Sequence, residues 1–145
     1  MRLRVVVNLL VICALFFLVL IHVDYPVFAG SRGSGQVKVG TNCVMKKAED
    51  DLVRSTNYSY ILVKVKSVYP VDTYDVDNFT RCRVCLYSST SAYTPISDVH
   101  VLTEGTVYQQ IALSEGNLSY SVFDLYFSGN NEKYGAYIDY AYSCK

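Results

Sequence analysis

Leu118-Ser119-Tyr120-Ser121-Val122-Phe123-Asp124-Leu125-Tyr126-Phe127, with the run Tyr134 to Tyr142 that follows, decides the fold class. In an extended chain Leu118, Tyr120, Val122, Asp124 and Tyr126 share one face, and Phe123, Leu125 and Phe127 take the other. Aromatic and β-branched residues dominate both runs, as a pleated and half-buried surface requires. Ser128-Gly129-Asn130-Asn131-Glu132 separates them and reads as a hairpin loop. Upstream, Tyr60 to Val68 alternates Ile61, Val63 and Val65 against Lys64 and Lys66. Thr80 to Tyr87 sets Cys82, Val84 and Leu86 against Arg81, Arg83, Cys85 and Tyr87. Ser97 to Thr103 and Thr106 to Leu113 flank Glu104-Gly105, a second hairpin signal. Six strands spaced by turn residues predict a mainly β domain, an antiparallel sheet folded as a barrel or a sandwich.

One short helix is expected ahead of these strands. Thr41 and Asn42 offer an N-cap, and Val44, Met45, Ala48, Leu52 and Ser55 fall on one helical face. Lys46, Lys47, Glu49, Asp50 and Arg54 take the opposite side. Residues 30–41 hold Gly30, Gly33, Gly35 and Gly40 with Ser31 and Ser34, and read as a flexible lead-in. The domain plan is a leader over 1–29, the lead-in over 30–41 and a single β-rich unit over 42–145.

The leader places the rest outside the cytosol. Arg2 and Arg4 precede Val5 to Ile21, in which Asn8 is the only polar residue, and Val27 and Ala29 supply a signal-peptidase pattern before Gly30. The alternative is a retained anchor, because the apolar run approaches the ~20 residues that span a bilayer. Either way the remainder is secreted or extracellular. The sequons at Asn57, Asn78 and Asn117 suit that compartment as glycosylation sites. So does an even set of cysteines after the leader: Cys43, Cys82, Cys85 and Cys144. On a strand, Cys82 and Cys85 point to opposite faces, so each is expected to form a disulfide elsewhere, one with Cys43 and one with Cys144.

Composition narrows function mainly by exclusion. Lys plus Arg and Asp plus Glu both number 13, which argues against nucleic acid as partner and against a polybasic membrane surface. With 14 tyrosines and 6 phenylalanines the chain is too aromatic to stay unfolded. His100 is the only histidine after the leader, no Gly-framed serine or phosphate loop is present, and a zinc site lacks ligands; no enzyme, metal or cofactor is expected. The suggestive feature is an acid among tyrosines. Asp124 lies between Tyr120 and Tyr126 on one strand face, and Asp139 shares a face with Tyr137. A carboxylate walled by aromatic rings suits a cationic amine.

The order of features resembles the salivary lipocalins of ticks. Ala48-Glu49-Asp50-Asp51-Leu52-Val53 followed by Tyr58-Ser59-Tyr60-Ile61-Leu62-Val63 is similar to their opening helix and first strand. Tyr137-Ile138-Asp139-Tyr140-Ala141-Tyr142-Ser143-Cys144 is similar to their tyrosine-aspartate-tyrosine segment before a cysteine. The resemblance implies a lipocalin-like barrel that captures a small host mediator, a biogenic amine or a lipid. The chain departs from that pattern in having no tryptophan and six expected strands where eight close such a barrel, which implies an incomplete one. A fainter resemblance links Gln36-Val37-Lys38-Val39-Gly40 to the inhibitory loop of cystatins, though here it precedes the helix. Two functions follow: capture of a small mediator in a tyrosine-lined pocket, or recognition of a host protein through a tyrosine-rich surface.

Overall fold

The computed structural model describes residues 30–55, 57–72, 79–91 and 93–145. The leader and Asn78 lie outside the described residues. Eight strands run in the order β1 (Arg32–Val39), β2 (Lys46–Val53), β3 (Tyr60–Pro70), β4 (Arg81–Ser88), β5 (His100–Thr103), β6 (Gln109–Ala112), β7 (Val122–Gly129) and β8 (Ala136–Ser143). A single 3-10 turn at Glu115–Asn117 is the helical element among the described residues. The strands form two antiparallel sheets, β1-β8-β3-β6 and β2-β7-β4-β5. This is a sandwich with jelly-roll order, not a closed barrel, so the expected β class holds and the barrel option does not.

The topology overturns both expected hairpins. β5 and β6 belong to different sheets, as do β7 and β8. Glu104-Gly105 and Ser128 to Glu132 therefore carry the chain across the sandwich. The turn residues signalled a reversal correctly, but not whether the next strand pairs beside the last or faces it. Backbone bonds stitch the flanks together. Ser31 N–H donates to the Val53 carbonyl at 2.9 Å on one side, and Gly105 N–H donates to the Val65 carbonyl at 2.9 Å on the other.

The expected helix is a strand. β2 pairs with β7, with register shifts between Lys47 and Glu49 and between Glu49 and Leu52. Each shift resets the two-residue alternation, so the sequence loses its strand period and imitates a helical one. Asp51 sits at the second irregularity with φ 48°. Tertiary pairing overrides the local pattern here, and of the supposed helical face Leu52 alone is fully buried.

The lead-in is a strand too. β1 pairs with β8 from Arg32↔Ser143 to Val39↔Ala136, so the packed unit begins well before residue 42. Its glycines are packing residues rather than hinges. A Cβ on Gly33 would stand 2.6 Å from Tyr142 Oη, and one on Gly35 2.7 Å from Tyr140 Oη. Two glycines thus vacate the inner face of β1 for the two tyrosines of β8.

Between the sheets the space is filled. Val37, Val39, Ile61, Val63, Val65, Ile111, Ile138 and Tyr140 from one sheet meet Cys82, Val84, Leu86, Leu102, Phe123, Leu125 and Phe127 from the other. Tyr140 stacks at a tilt on Phe127 with centroids 4.8 Å apart, and its hydroxyl donates to Glu49 Oε1 at 2.6 Å. Burial, then that bond, pushes the Tyr140 phenol well above its ordinary value.

Candidate functional site: two outer sheet faces

Because Phe123, Leu125 and Phe127 point inward, Asp124 and Tyr126 occupy the outer face of β2-β7-β4-β5. Asp124 is only 4% exposed, yet its charge is already answered. Lys47 Nζ lies 2.5 Å from Oδ2, and Asp51 N–H donates to Oδ1 at 3.1 Å. The bond to Asp124 raises the Lys47 pKa. The same ammonium lies 5.9 Å from the Tyr126 ring centroid, and Tyr126 packs on Tyr87 at 4.4 Å. Of the acid-and-aromatic environment read from the sequence, Tyr126 alone stands beside Asp124, and Lys47 occupies the place of the cationic ligand.

The other candidate residues are elsewhere. Tyr120 precedes β7 and packs partly against the core, while its carbonyl accepts from Arg54 Nη2 at 2.7 Å. Arg54 is 2% exposed and also donates to the carbonyls of Ser55 and Leu118. Asp139 lies on the opposite outer face, in β1-β8-β3-β6. The four candidate residues are therefore divided between two faces and one end of the sandwich.

Around Asp139 the second face is organised by residues far apart in sequence. Gln36 of β1 and Ser67 of β3 stand in register with it on either side. Gln36 Nε2 donates to Asp139 Oδ1 at 2.8 Å and to Tyr69 Oη at 2.6 Å, and Ser67 Oγ donates to Oδ2 at 2.7 Å. Tyr69 and Tyr137, also in register, stack with centroids 5.5 Å apart. Lys38 Nζ rests 5.6 Å from the Tyr137 centroid, and Lys64 Nζ 5.1 Å from that of Tyr108. Among these, Asp139 was visible in the sequence. Gln36 and Lys38 were legible as alternating with Val37 and Val39, but the glycines around them masked the strand. Ser67 and Tyr69 lie beyond the register shift between Val65 and Ser67, which breaks the alternation of β3.

The four cysteines are free thiols among the described residues. Cys82 faces the core, while Cys85 lies off it on the outer face, covered by the segment around Ser97, whose carbonyl is 3.5 Å from its sulfur. Burial pushes the Cys82 and Cys144 thiols up to about 12, and raises Cys85 as well. A bridge from Cys144 to Cys82 is at odds with the topology. Cys82 pairs with Gly129 at one end of the sandwich, whereas Cys144 N–H donates to the Ser31 carbonyl at the other. Roughly seven residues of strand, or about 20 Å, separate those ends, against the ~7 Å Cα limit for a disulfide. Of the sequons, Asn57 is exposed and Asn117 half-buried at the end of the 3-10 turn.

No family model matches the chain, and no curated protein matches it. One solved structure, described as "Bacillus endospore appendages form a novel family of disulfide-linked pili", is similar to it with a TM-score of 0.34 and 10% identity. That likeness covers 81% of this chain and 90% of the other, and at this level it carries no argument about fold or function.

Proposed function

We propose that the protein is an exported, glycosylated binding module that engages a macromolecular partner through the outer face of β1-β8-β3-β6. The contrast between the two sides of that sheet carries this reading. Its inner side is closed by side chains packed against the second sheet, which leaves the fold's interior to its own core. Its outer side presents the Gln36–Asp139–Ser67 network beside Tyr69 and Tyr137, polar groups held in place and rings partly open to solvent. Amphipathic tyrosines next to oriented hydrogen-bonding groups are what recognition surfaces use. The apolar leader and the exposed sequon at Asn57 support export.

Two measurements test it. Native mass spectrometry of the secreted protein with a panel of biogenic amines and fatty acids should show the protein mass without an adduct. A one-to-one adduct lost in Asp124→Asn would overturn the surface reading in favour of a pocket. Labelled protein should bind intact cell surfaces, and Tyr69→Ala with Tyr137→Ala should abolish that binding; unchanged binding would remove this face from the function.

A further inference from the structure

The proposal deepens the reading above by naming the partner's chemistry, and it starts from how the fold sorts charge. The chain as a whole is neutral. Its acids gather on β2 and at the connections: Glu49, Asp50 and Asp51 on β2, and Asp72, Asp98, Glu104, Glu115 and Glu132 between strands or at their ends. The outer face of β1-β8-β3-β6 holds the reverse. Arg32 and Lys38 are exposed on β1, Lys64 is half-buried on β3, and Lys66 is exposed at the β3 bulge. Against these four cations the face itself holds one acid, Asp139, engaged by Gln36 and Ser67 rather than by a cation, while Glu104 at the β3 edge accepts from the Val68 N–H at 3.1 Å.

None of the four cations has a carboxylate partner among the described residues, where the single ion pair is Lys47–Asp124. Lys38 and Lys64 lie over tyrosine rings instead. A ring face positions an ammonium without consuming its hydrogen bonds, so both remain able to donate to an anion. The second outer face carries fewer such cations. Lys47 there is neutralised by Asp124, Arg83 Nε donates to Asn130 Oδ1 at 3.3 Å, and Arg81 is exposed without a carboxylate partner among the described residues.

The layout of the cations is elongated. Arg32 stands level with Ser143 on β8, Lys64 with Ala141, and Lys38 with Tyr137. At the rise of a strand, the track from Arg32 to Lys38 is about 20 Å long, and β1 and β3 are about 10 Å apart across β8. Between them lie Gln36, Ser67, Tyr69 and Asp139, groups that hydrogen-bond hydroxyls. We infer that this face binds a sulfated polysaccharide, whose sulfates meet Arg32, Lys38, Lys64 and Lys66 while its hydroxyls meet Gln36, Ser67 and Asp139. A nucleic acid fits less well, because Tyr69 and Tyr137 stack on each other rather than presenting both ring faces to bases. An anionic bilayer fits less well too, because the centre of the face is a polar hydrogen-bonded network and the exposed aliphatic Val107 lies outside it, ahead of β6.

The test is heparin affinity of the intact secreted protein, with non-sulfated dextran, duplex DNA and phosphatidylserine vesicles as comparators. Retention on heparin at physiological salt, lost as salt rises, is expected of the wild type despite its neutral charge. Lys38→Ala with Lys64→Ala should weaken heparin binding by about tenfold, from about 0.7 kcal/mol per exposed charge contact. Arg81→Ala with Arg83→Ala removes the same charge from the other face and should change binding less than twofold. Equal losses in the two double variants would overturn the assignment of the face. DNA or vesicle binding as tight as heparin binding would overturn the assignment of the partner. Absence of heparin binding by wild type that still binds cells through Tyr69 and Tyr137 would overturn this inference alone and leave the surface-binding function in place.

Discussion

Gly35→Ala distinguishes a packed strand from a flexible lead-in by the sign of its effect. In an unpacked segment, alanine for glycine restricts the unfolded chain and stabilises by about 0.4–1 kcal/mol where φ allows it. In β1 the added Cβ would stand 2.7 Å from Tyr140 Oη, 3.0 Å from Cζ and 3.2 Å from Glu49 Oε1. Tyr140 cannot easily retreat, because it is 2% exposed, packed on Phe127 and bonded to Glu49. The contact term therefore wins, with an expected loss of about 1–3 kcal/mol, the range for overpacking a filled core. Tyr140→Phe alone should cost about 1.5–3 kcal/mol by removing the bond to a charged acceptor. Combined, the two should fall short of additivity by about 1 kcal/mol or more, since the phenylalanine takes away the closest clashing atom. Equilibrium urea unfolding, followed by tyrosine fluorescence because the chain has no tryptophan, measures all three. A neutral or stabilising Gly35→Ala would refute the packing of β1 against β8.

Three further outcomes are expected. Ellman titration should find Cys43, the half-buried thiol, reacting readily in the folded protein and the other three only on unfolding; fewer than four thiols after unfolding would reveal bridges absent from this structure. Stability should fall at alkaline pH: Cys82 and Cys144 hold their protons up to about 12 when folded, against an ordinary 9.0, so their contribution is complete below pH about 9 and drains away towards 12. Tyr140 acts with the same sign, and a melting temperature flat from about pH 8 to 11 would contradict that linkage. Lys47→Met should lower the urea midpoint more than Asp124→Asn with Lys47→Met together, because the single change leaves a buried carboxylate without its cation; the reverse order would contradict the pairing.

The sequence made the β class legible where strands are regular. β3, β4, β7 and β8 keep their alternation over most of their length, and the inward phase of Cys82, Val84 and Leu86 follows from it. It misled where the chain departs from regularity. Two bulges gave β2 a helical period, and glycines in β1 read as flexibility although they serve the tyrosines of a strand one hundred residues later. The outer-face site was the least legible part. Gln36, Ser67, Tyr69 and Asp139 meet only because β8 lies between β1 and β3, and no local pattern encodes that order. The balanced charge, which argues against nucleic acid as partner and against a polybasic membrane surface, says nothing about how strands distribute lysines between faces.

Residue-resolved NMR during titration with a heparin oligosaccharide tests the surface account most directly. Amide shifts confined to Arg32, Gln36, Lys38, Lys64, Lys66, Tyr69 and Asp139, with Phe123, Leu125 and Phe127 of the core unmoved, are the predicted result. Shifts centred on those core residues, or on Lys47 and Asp124, would contradict it.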